Sequence, residues 1–389
     1  MFFQYFLLQL IIADINDRKM SKILFVLANL AGGGAEKTFI DLMQHTNFCV
    51  YEIELCLVVG EGIYLDSIPA DVKVTVLFKK PSLLYKLSLG LSKYFSLNFF
   101  PKWLIRHKVG KRYDRIVSYT EGIPLLFHSY IMNRATRNIA WIHTDLRHYH
   151  YTRKYFRSDK HEAICYNSMH HLVFVSQDAQ RNFNEQFKLG VSQSVIYNPI
   201  DKVEIRKKAH AFQVEKRRFT ICTLGRLVAV KGYDCFLRVA NELVREGYMV
   251  DFWIVGEGVL ENELKQMSIE FGLEEHVCFW GFQSNPYPFI EVADIFLSTS
   301  KVEGYPLVIC EALCLSKPIV ATRIPGSMEI LGESQYGLLA DCDDHKLCQA
   351  LRMLLDSAEE LAGYKQRAEE GAKKFDIETK VVEIYSTIG

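Results

Sequence analysis

Residues 293–322 constrain the fold more than any other stretch, because they predict a strand, a loop, a helix and a second strand in close succession. The apolar run ADIFLS (293–298) has the length of a strand, and PIVAT (318–322) is another. Between them, Pro306 suits the first turn of a helix, where its missing N–H needs no partner, and Gly304 frees the backbone just before it. Two strands joined through a helix predict a parallel sheet.

The same alternation of short β-branched or aromatic runs with longer amphipathic stretches continues along the chain, as is typical of βαβ units. We place strands near these positions: Ile23, Ile53, Val72, Arg115, Asn138, Leu172, Phe219, Val250, Val277, Asp294, Ile319 and Gly337. With 389 residues and 49% hydrophobic content, the chain is long enough for two domains. We therefore predict an α/β fold of two doubly wound, Rossmann-like domains that face a central cleft, joined by a polar linker at 198–216.

Residues 1–19 precede the first predicted strand. They include an apolar run, 1–13, which is too short to span a bilayer and has no basic leader of the kind that signal peptides carry. We interpret residues 1–19 as an N-terminal extension outside the fold. A short membrane-contacting helix is the alternative.

Charge and cysteine usage exclude several classes of function. The chain carries 46 basic and 46 acidic residues, so no overall positive field predicts a nucleic acid as partner. Its ten cysteines form no C-x-x-C pair and no Cys/His cluster. This pattern predicts neither disulfides nor a zinc site and is typical of a reducing cytoplasm.

Two carboxylates flank the glycine–proline turn of the strand–loop–helix segment. Glu303 falls in the loop and Glu311 on the second turn of the predicted helix. Ligands of open parallel sheets bind at the carboxyl ends of strands, and the unpaired amides of a helix N-terminus attract phosphate or polyhydroxylated ligands. One carboxylate is thus placed to grip a sugar, and the other to accept hydrogen bonds from a ribose. The alternative is an ordinary helix start decorated with acidic residues.

A glycine loop follows the first predicted strand. Gly32, Gly33 and Gly34 precede a helix, but Lys37 stands where a dinucleotide-binding fingerprint would have its third glycine. The Gly-Lys-Ser/Thr ending of a P-loop is also missing. What remains is either a loop of bare amides that can approach phosphate or sugar oxygens closely, or a simple tight turn.

Two cations occupy the corresponding position in the second half of the chain. Arg226 and Lys231 lie in the loop between the first strand of that half and the helix that follows. Two fixed positive charges at this place can neutralise a diphosphate leaving group, a task that a divalent metal performs in other enzymes. The alternative is a pair of solvated surface cations.

Six short motifs follow one another along the chain. They are GGGAE (32–36), GRL (225–227) with Lys231 and Gly232, VGEG (255–258), FWGF (279–282), STSKVEGYP (298–306) and EAL (311–313). Together they resemble the motifs of family-4 glycosyltransferases, which are retaining enzymes of the GT-B fold. The resemblance runs from about residue 21 to 386 and is most specific between 225 and 337. In the first half it depends mainly on the glycine loop and on HTD (143–145).

The resemblance implies a role for each candidate residue of the second half. Arg226 and Lys231 would hold the donor diphosphate, and Glu311 would bind the ribose hydroxyls of the nucleotide. Glu303 would meet the transferred sugar together with the backbone that follows it, which comprises Gly304, Tyr305, Pro306 and Leu307.

For the first half, the resemblance implies that Gly33 and Gly34 face the donor phosphates and that His143 contacts the sugar or the reaction centre. A capping or core histidine is the alternative for His143. The resemblance also implies an acceptor-side domain at 20–197 and a nucleotide-sugar-binding domain at 217–365. A C-terminal helix at 366–389 would return to the first domain.

The implied activity is retaining, metal-independent transfer of a hexose or N-acetylhexosamine from a nucleotide diphosphate sugar, with UDP as the implied nucleotide. The acceptor would be a glycan or a lipid-linked glycan in surface polysaccharide or lipid-linked oligosaccharide assembly. No cofactor is implied, because the departing phosphate itself helps to remove the acceptor proton. The Asp-rich run at 341–344 precedes a predicted helix, and we interpret it as a loop and N-cap rather than a metal site. The alternatives are a sugar-nucleotide epimerase of the same fold and a non-catalytic donor-binding subunit of a transferase complex.

Residues 79–112 combine positive charge with apolar side chains and contain no acidic residue. The cations are Lys79, Lys80, Lys86, Lys93, Lys102, Arg106, Lys108, Lys111 and Arg112. Such a segment predicts contact with an anionic membrane surface. It favours a lipid-linked acceptor and a cytoplasmic protein that is peripheral on the inner face of the plasma membrane. The alternative is a helix pair packed on the domain with a solvated basic face.

Overall fold

A computed structural model describes residues 20–95 and 97–388 of the chain. Residues 1–19, interpreted above as an extension, lie outside the described residues. The chain forms two compact units. Unit 1 runs to Tyr197 and takes in the chain again from Glu378, and unit 2 is Asn198–Ile377.

Unit 1 contains one sheet in which all neighbouring strands are parallel. Its strands are β1 (Ser21–Leu27), β2 (Tyr51–Val59), β3 (Lys73–Phe78), β4 (Tyr113–Ser118), β5 (Ala135–Ile142), β6 (His171–Phe174) and β7 (Ser192–Val195). They lie in the order β3-β2-β1-β4-β5-β6-β7. The helices before Tyr197 are α1 (Gly34–Gln44), α2 (Leu83–Phe95), α3 (Phe99–Lys108), α4 (Ile123–Ser129), α5 (Asp159–Asn167) and α6 (Gln177–Phe187). The long apolar runs of β1 and β2 are buried, as expected for a parallel sheet covered on both faces.

Unit 2 repeats this architecture with six parallel strands. They are β8 (Phe219–Leu224), β9 (Val250–Val255), β10 (Val277–Gly281), β11 (Ile295–Ser298), β12 (Ile319–Thr322) and β13 (Leu338–Ala340). Their order is β10-β9-β8-β11-β12-β13. The helices from α7 onward are α7 (Lys202–Ala209), α8 (Tyr233–Arg245), α9 (Glu261–Glu270), α10 (Tyr287–Val292), α11 (Leu307–Cys314), α12 (Pro325–Leu331), α13 (Asp344–Asp356), α14 (Ala358–Gly371) and α15 (Ile377–Ile388).

Every strand predicted from the alternating pattern is present and begins within a few residues of the predicted position. The prediction missed β7, whose sequence SQSV contains no apolar run. β7 pairs with β6 at the edge of the sheet. His171 of β6 contacts the hydroxyls of Ser192 and Ser194 through its two ring nitrogens, at 3.0 and 2.9 Å. These long-range contacts replace the apolar signal that the other strands carry.

The predicted domain boundaries stay predictions, but the segments near them have defined structure. Residues 198–216, expected to form a linker, include α7. The Arg206 side chain of α7 donates a hydrogen bond to Cys314 O at 2.9 Å. The segment is therefore helical in part and packs within unit 2.

The single helix expected at 366–389 is divided in the structure, because α14 ends at Gly371 and α15 begins at Ile377. α15 makes its polar contacts with unit 1. The Tyr385 hydroxyl lies 2.6 Å from Thr46 Oγ1, and the Tyr385 ring stacks on Tyr51 with 4.2 Å between centroids.

Each sheet reverses its strand order at one point. β1 lies between β2 and β4 in unit 1, and β8 lies between β9 and β11 in unit 2. At such a reversal the two neighbouring connections leave on opposite faces of the sheet. A crevice opens at the carboxyl ends of those strands, and ligands of doubly wound sheets bind there.

Candidate active site

The loop after β8 packs directly on the loop after β11. A 3₁₀ turn, Ala229–Lys231, ends in Gly232, which has a left-handed φ of 69°. A Cβ atom on Gly232 would collide with Thr299 O, so the close approach of the two loops requires glycine. The Thr299 hydroxyl donates a hydrogen bond to Lys231 O at 3.2 Å. The position of Lys231 is therefore fixed by the loop after β11.

Lys231 and Glu303 are joined across these loops. The Lys231 ammonium donates a hydrogen bond to Glu303 Oε1, and the Ser300 hydroxyl donates another to the same oxygen at 2.9 Å. The two charged side chains expose 20% and 17% of their surface. Because burial weakens screening by water, these charges interact more strongly than an exposed pair would. The structure thus brings together a cation and a carboxylate for which the sequence analysis predicted separate roles.

Arg226 lies on the same loop as Lys231, and its side chain is exposed. Its guanidinium makes no hydrogen bond or ion pair with the residues that the structure describes. A guanidinium presents five donors in a planar fork that matches the oxygens of a phosphate. The loop after β8 therefore offers one solvated cation and one paired cation.

The turn between Glu303 and α11 differs from the prediction in one detail. Pro306 is the residue before the helix rather than part of its first turn, with φ −71° and ψ 96°. α11 begins at Leu307, and Pro306 has no side-chain oxygen to cap it. Gly304 lies in this turn, and Tyr305 beside it is buried. The first amides of α11 thus follow Glu303 closely in the chain and lack a side-chain cap.

Gly326, on the first turn of α12, packs against this turn. A Cβ atom at Gly326 would lie 2.8 Å from Pro306 Cδ and 2.9 Å from Glu303 O. Any larger residue would displace the backbone that carries Glu303. This role of Gly326 was not predictable from the sequence, because it depends on a contact between two separate segments of the chain.

Glu311 is on the second turn of α11, as predicted, and is only 5% exposed. Its Oε1 accepts a hydrogen bond from the Tyr287 hydroxyl at 3.1 Å. Tyr287 is the first residue of α10 and is itself buried. The sequence did not single out Tyr287, whose role depends on a contact between two helices. A buried carboxylate fixed in this way is suited to bind a ligand hydroxyl in one orientation.

The glycine loop of unit 1 leads into α1. Gly33 is the residue before the helix and Gly34 begins it. Glu36, on the first turn, folds back so that a Cβ atom on Gly33 would collide with its carboxylate. The resemblance assigns this stretch of backbone to donor phosphates. An acidic side chain lies against it in the present structure.

His143 directly follows β5, and its backbone N–H donates a hydrogen bond to Glu121 Oε2 at 2.9 Å. Its ring Nε2 is buried and has no hydrogen-bond partner among the described residues. Burial lowers the pKa of His143 to about 4, although Glu121 and a hydrogen bond with the Tyr119 backbone act in the opposite direction. The imidazole is therefore uncharged at neutral pH, and a buried ring nitrogen is left for a ligand.

Glu121 and Tyr151 complete this cluster, and the sequence reasoning missed both. Glu121 is 3% exposed and lies shortly after β4, at the reversal of the sheet. Its Oε1 accepts a hydrogen bond from the Tyr151 hydroxyl at 3.0 Å. Burial, and then the Glu121 carboxylate, raise the pKa of Tyr151 well above its ordinary value. The signal that identified Glu303, an acid just past a strand, applies equally to Glu121.

The Asp-rich run is a helix cap, as predicted. Asp343 accepts a hydrogen bond from Lys346 N at 3.0 Å and caps α13, and Asp344 pairs with Arg238. Within residues 20–95 and 97–388 there is no group of three or more His, Cys, Asp or Glu side chains arranged to hold a metal ion. All ten cysteines are free.

Residues 204–374 match the family model of glycosyl transferases group 1. Over this stretch the chain is similar to group 1 glycosyltransferases. It contains the whole set formed by Arg226, Lys231, Glu303 and Glu311. The family resemblance inferred from the short motifs is confirmed.

The chain is also similar to curated glycosyltransferases. One, from Campylobacter jejuni, is named N-acetylgalactosamine-N,N'-diacetylbacillosaminyl-diphospho-undecaprenol 4-alpha-N-acetylgalactosaminyltransferase. It is 34% identical over 184 residues, which are 47% of this chain and 49% of the relative. The lipopolysaccharide core biosynthesis glycosyltransferase LpsD of Rhizobium meliloti is 31% identical over 159 residues, or 41% and 43% of the two chains. The chain thus spans about half the length of these relatives.

Solved structures are similar over nearly the whole chain. HepE of Anabaena, crystallised with UDP and glucose, has a TM-score of 0.73 at 21% identity and covers 95% of this chain and 99% of its own. TarM of S. aureus, crystallised with fondaparinux, α-GlcNAc-glycerol and UDP, has a TM-score of 0.72 at 14% identity with the same coverage. At these identities the likeness concerns the fold. It confirms the predicted GT-B class with two Rossmann-like α/β units.

Proposed function

We propose that the protein is a retaining glycosyltransferase that moves a hexose or N-acetylhexosamine from a UDP-linked donor to a glycan or lipid-linked acceptor. One observation carries the proposal. Lys231 and Glu303 are held together by the loops after β8 and β11, at the sheet reversal of a group 1 domain. A cation and a carboxylate at this place suit a ligand that has both a diphosphate and a sugar.

In this proposal Arg226 and Lys231 bind the donor diphosphate. Negative charge grows on the diphosphate as the glycosidic bond breaks, and fixed cations stabilise that charge in the transition state. When phosphate oxygens engage the Lys231 ammonium, Glu303 Oε1 becomes available to the hydroxyls of the transferred sugar. The backbone of Gly304, Tyr305, Pro306 and Leu307 lines the same side, and Glu311 holds the ribose.

For unit 1, the proposal keeps the roles that the family resemblance implies. Gly33 and Gly34 approach the donor phosphates through their backbone, which requires the Glu36 carboxylate to move away. His143 presents a neutral Nε2 that accepts a hydrogen bond from a sugar hydroxyl near the reaction centre. In a retaining reaction of this type, the departing phosphate takes the acceptor proton on the face that it leaves, so no second catalytic carboxylate is needed.

The acceptor and its location are inferred from two observations. The printed names of the Campylobacter and Rhizobium relatives refer to a diphospho-undecaprenol glycan and to the lipopolysaccharide core. The segment 79–112 carries nine cations and no acid. We therefore propose a lipid-linked acceptor, reached at the anionic inner face of the plasma membrane. Among the described residues no helix is both long enough and apolar enough to cross a bilayer.

The decisive experiment is a screen of the purified protein against a panel of nucleotide sugars, with and without lipid-linked glycan acceptors. We expect one UDP sugar to raise the melting temperature and to release UDP, and the sugar to appear on an acceptor with its anomeric configuration retained. An epimerase would change the donor sugar without any acceptor. A non-catalytic subunit would be stabilised by the donor and release nothing. Either result would replace the proposed function.

A further inference from the structure

Helix α2 exposes four of its leucines to solvent, whereas Tyr85 and Leu89 are partly buried and pack against the core of unit 1. Leu83, Leu84, Leu87 and Leu91 expose 73, 55, 52 and 43% of their surface. The residues of α2 that are buried are Ser88 and Ser92. A surface helix of a globular protein normally turns its apolar side chains inward, and these four leucines do not follow that rule. The leucine face of α2 is therefore available for contact outside the protein.

The exposed apolar surface continues from α2 into α3. Tyr94, Phe95, Leu97, Phe99 and Trp103 expose between 49 and 79% of their surface. Nine of the 23 exposed large apolar side chains among the described residues thus lie between 83 and 103. Single exposed apolar residues are ordinary, but a concentration of this kind marks an interaction surface.

Unpaired cations surround this apolar surface. Lys79, Lys80 and Lys86 are exposed, and Lys102 is partly exposed. Their ammonium groups make no hydrogen bond or ion pair with the described part of the chain. Arg106 and Lys108 differ, because their side chains donate hydrogen bonds to Tyr130 O at 2.8 Å and to Val76 O at 2.7 Å. The four lysines are therefore charges of this surface that have no partner among the described residues.

We propose that α2 lies in the interface of an anionic bilayer, with its leucine face in the acyl region and these lysines among the headgroups. An anionic bilayer has an apolar acyl region that can accept the leucines and negatively charged headgroups that can attract the lysines. A second copy of the chain would bring two basic surfaces into contact, and like charges oppose such a dimer. The proposal deepens the proposed function, because it brings unit 1 to the surface where a lipid-linked acceptor is found.

The apolar and the electrostatic contributions to membrane binding can be measured separately. Apolar insertion depends on the leucines and persists in salt, whereas attraction by the lysines is screened within about 10 Å at 0.1 M salt. Trp103 is the exposed member of the four tryptophans, and Trp141, Trp253 and Trp280 are buried or partly buried. Quenching of Trp103 by brominated acyl chains therefore reports the depth of this surface.

The test measures co-sedimentation of the full chain with vesicles of phosphatidylglycerol and phosphatidylcholine. We expect the Leu84→Ser, Leu87→Ser, Leu91→Ser triple variant to lose at least tenfold in affinity at both low and high salt. The matched control replaces three exposed apolar residues elsewhere by serine, at Val203, Met249 and Val382, and should bind like the wild type. Lys79→Gln, Lys80→Gln and Lys86→Gln together should weaken binding at low salt only.

Equal vesicle binding by the leucine variant and the wild type would overturn the proposal. Absence of Trp103 quenching by brominated lipids would also overturn it. A dimer detected by light scattering, and dissociated only in the leucine variant, would show instead that the leucine face binds a second copy of the chain. Hydrolysis of the soluble donor should be unchanged in the leucine variant. Failure of the proposed function has a different readout. In that case the wild type would still bind vesicles but would release UDP from none of the nucleotide sugars.

Discussion

Lys231 and Glu303, 72 positions apart in the chain, form an ion pair that ties the carboxyl end of β8 to that of β11. In the proposed reaction a diphosphate would reach Lys231 only by competing with Glu303 for its ammonium. The phosphate and sugar parts of the donor therefore engage opposite halves of one pair. This coupling makes the two residues interdependent, and their substitutions should not be additive.

Lys231→Ala should lower turnover by about 10²- to 10³-fold while leaving the fold intact, because one donor to a growing negative charge is typically worth that much. Adding Glu303→Gln to Lys231→Ala should cost less than Glu303→Gln costs alone, which a double-mutant cycle measures. Lys301→Ala is the control, since Lys301 pairs with Asp234 at 3.0 Å on the adjacent surface. Additive effects of the pair would contradict the coupling.

Arg226→Ala should reduce turnover by roughly 10²-fold with little change in melting temperature, because its guanidinium stabilises the departing diphosphate and supports no contact within the described protein. Arg245→Ala, at another exposed arginine, should leave turnover at the wild-type level. Steady-state kinetics with the donor identified by the screen decide the matter. Near wild-type activity of Arg226→Ala would remove Arg226 from the site.

Glu311→Gln should weaken UDP binding about tenfold or more, because a hydrogen bond from a hydroxyl to a charged acceptor contributes roughly 1.5–3 kcal/mol. Tyr287→Phe should weaken UDP binding by less, since it removes only the donor that orients Glu311 Oε1. Glu303→Gln should not weaken UDP binding, because it removes the carboxylate that competes with the diphosphate for Lys231, and should damage turnover instead. Calorimetric titration with UDP separates these outcomes, and wild-type affinity in Glu311→Gln would refute the ribose assignment.

Activity should survive EDTA. The proposed reaction neutralises the diphosphate with Arg226 and Lys231, and the Asp-rich run is occupied as a cap and as a partner of Arg238. UDP release should be measured with the chelator and after addition of Mn²⁺ or Mg²⁺. If EDTA abolishes release and a metal restores it, Asp341, Asp343 and Asp344 become candidate ligands.

Stability should fall as the pH drops below about 6.5. His128 and His143 are buried, and burial lowers the pKa of each to about 4 from an ordinary value of 6.5. Between these pH values the unfolded chain binds protons that the folded chain does not, so the free energy of unfolding decreases as pH falls and is fully recovered above 6.5. Urea titrations at several pH values should show His143→Gln reducing this slope by at most about 1.4 kcal/mol per pH unit. His210→Gln, at an exposed histidine, should leave the slope unchanged.

The sequence predicted the features that depend on local pattern. Apolar runs located twelve strands, and the glycine–proline turn located Glu303 and Glu311. Features created by distant contacts were not predictable in this way. The serines of β7 contact His171 of the neighbouring strand, and Tyr287 donates its hydrogen bond to Glu311 from another helix.

The orientation of α2 shows the limit of periodicity most clearly. A helical pattern defines an apolar face and a polar face, but it does not say which one meets the protein. Here the buried positions are Ser88 and Ser92. The alternative of a helix pair packed on the domain with a solvated basic face stays open, although the exposed surface of α2 includes four leucines as well as Lys86.

The return of α15 to unit 1 sets an order for biosynthesis. Thr46 and Tyr51 acquire their Tyr385 partner only after residues 378–388 have left the ribosome, by which time the whole of unit 2 has been made. Until then, the surface of unit 1 that contacts Tyr385 lacks this partner. Domains usually fold as they emerge, with the N-terminal one first. In this chain the unit that begins first is the one that finishes last.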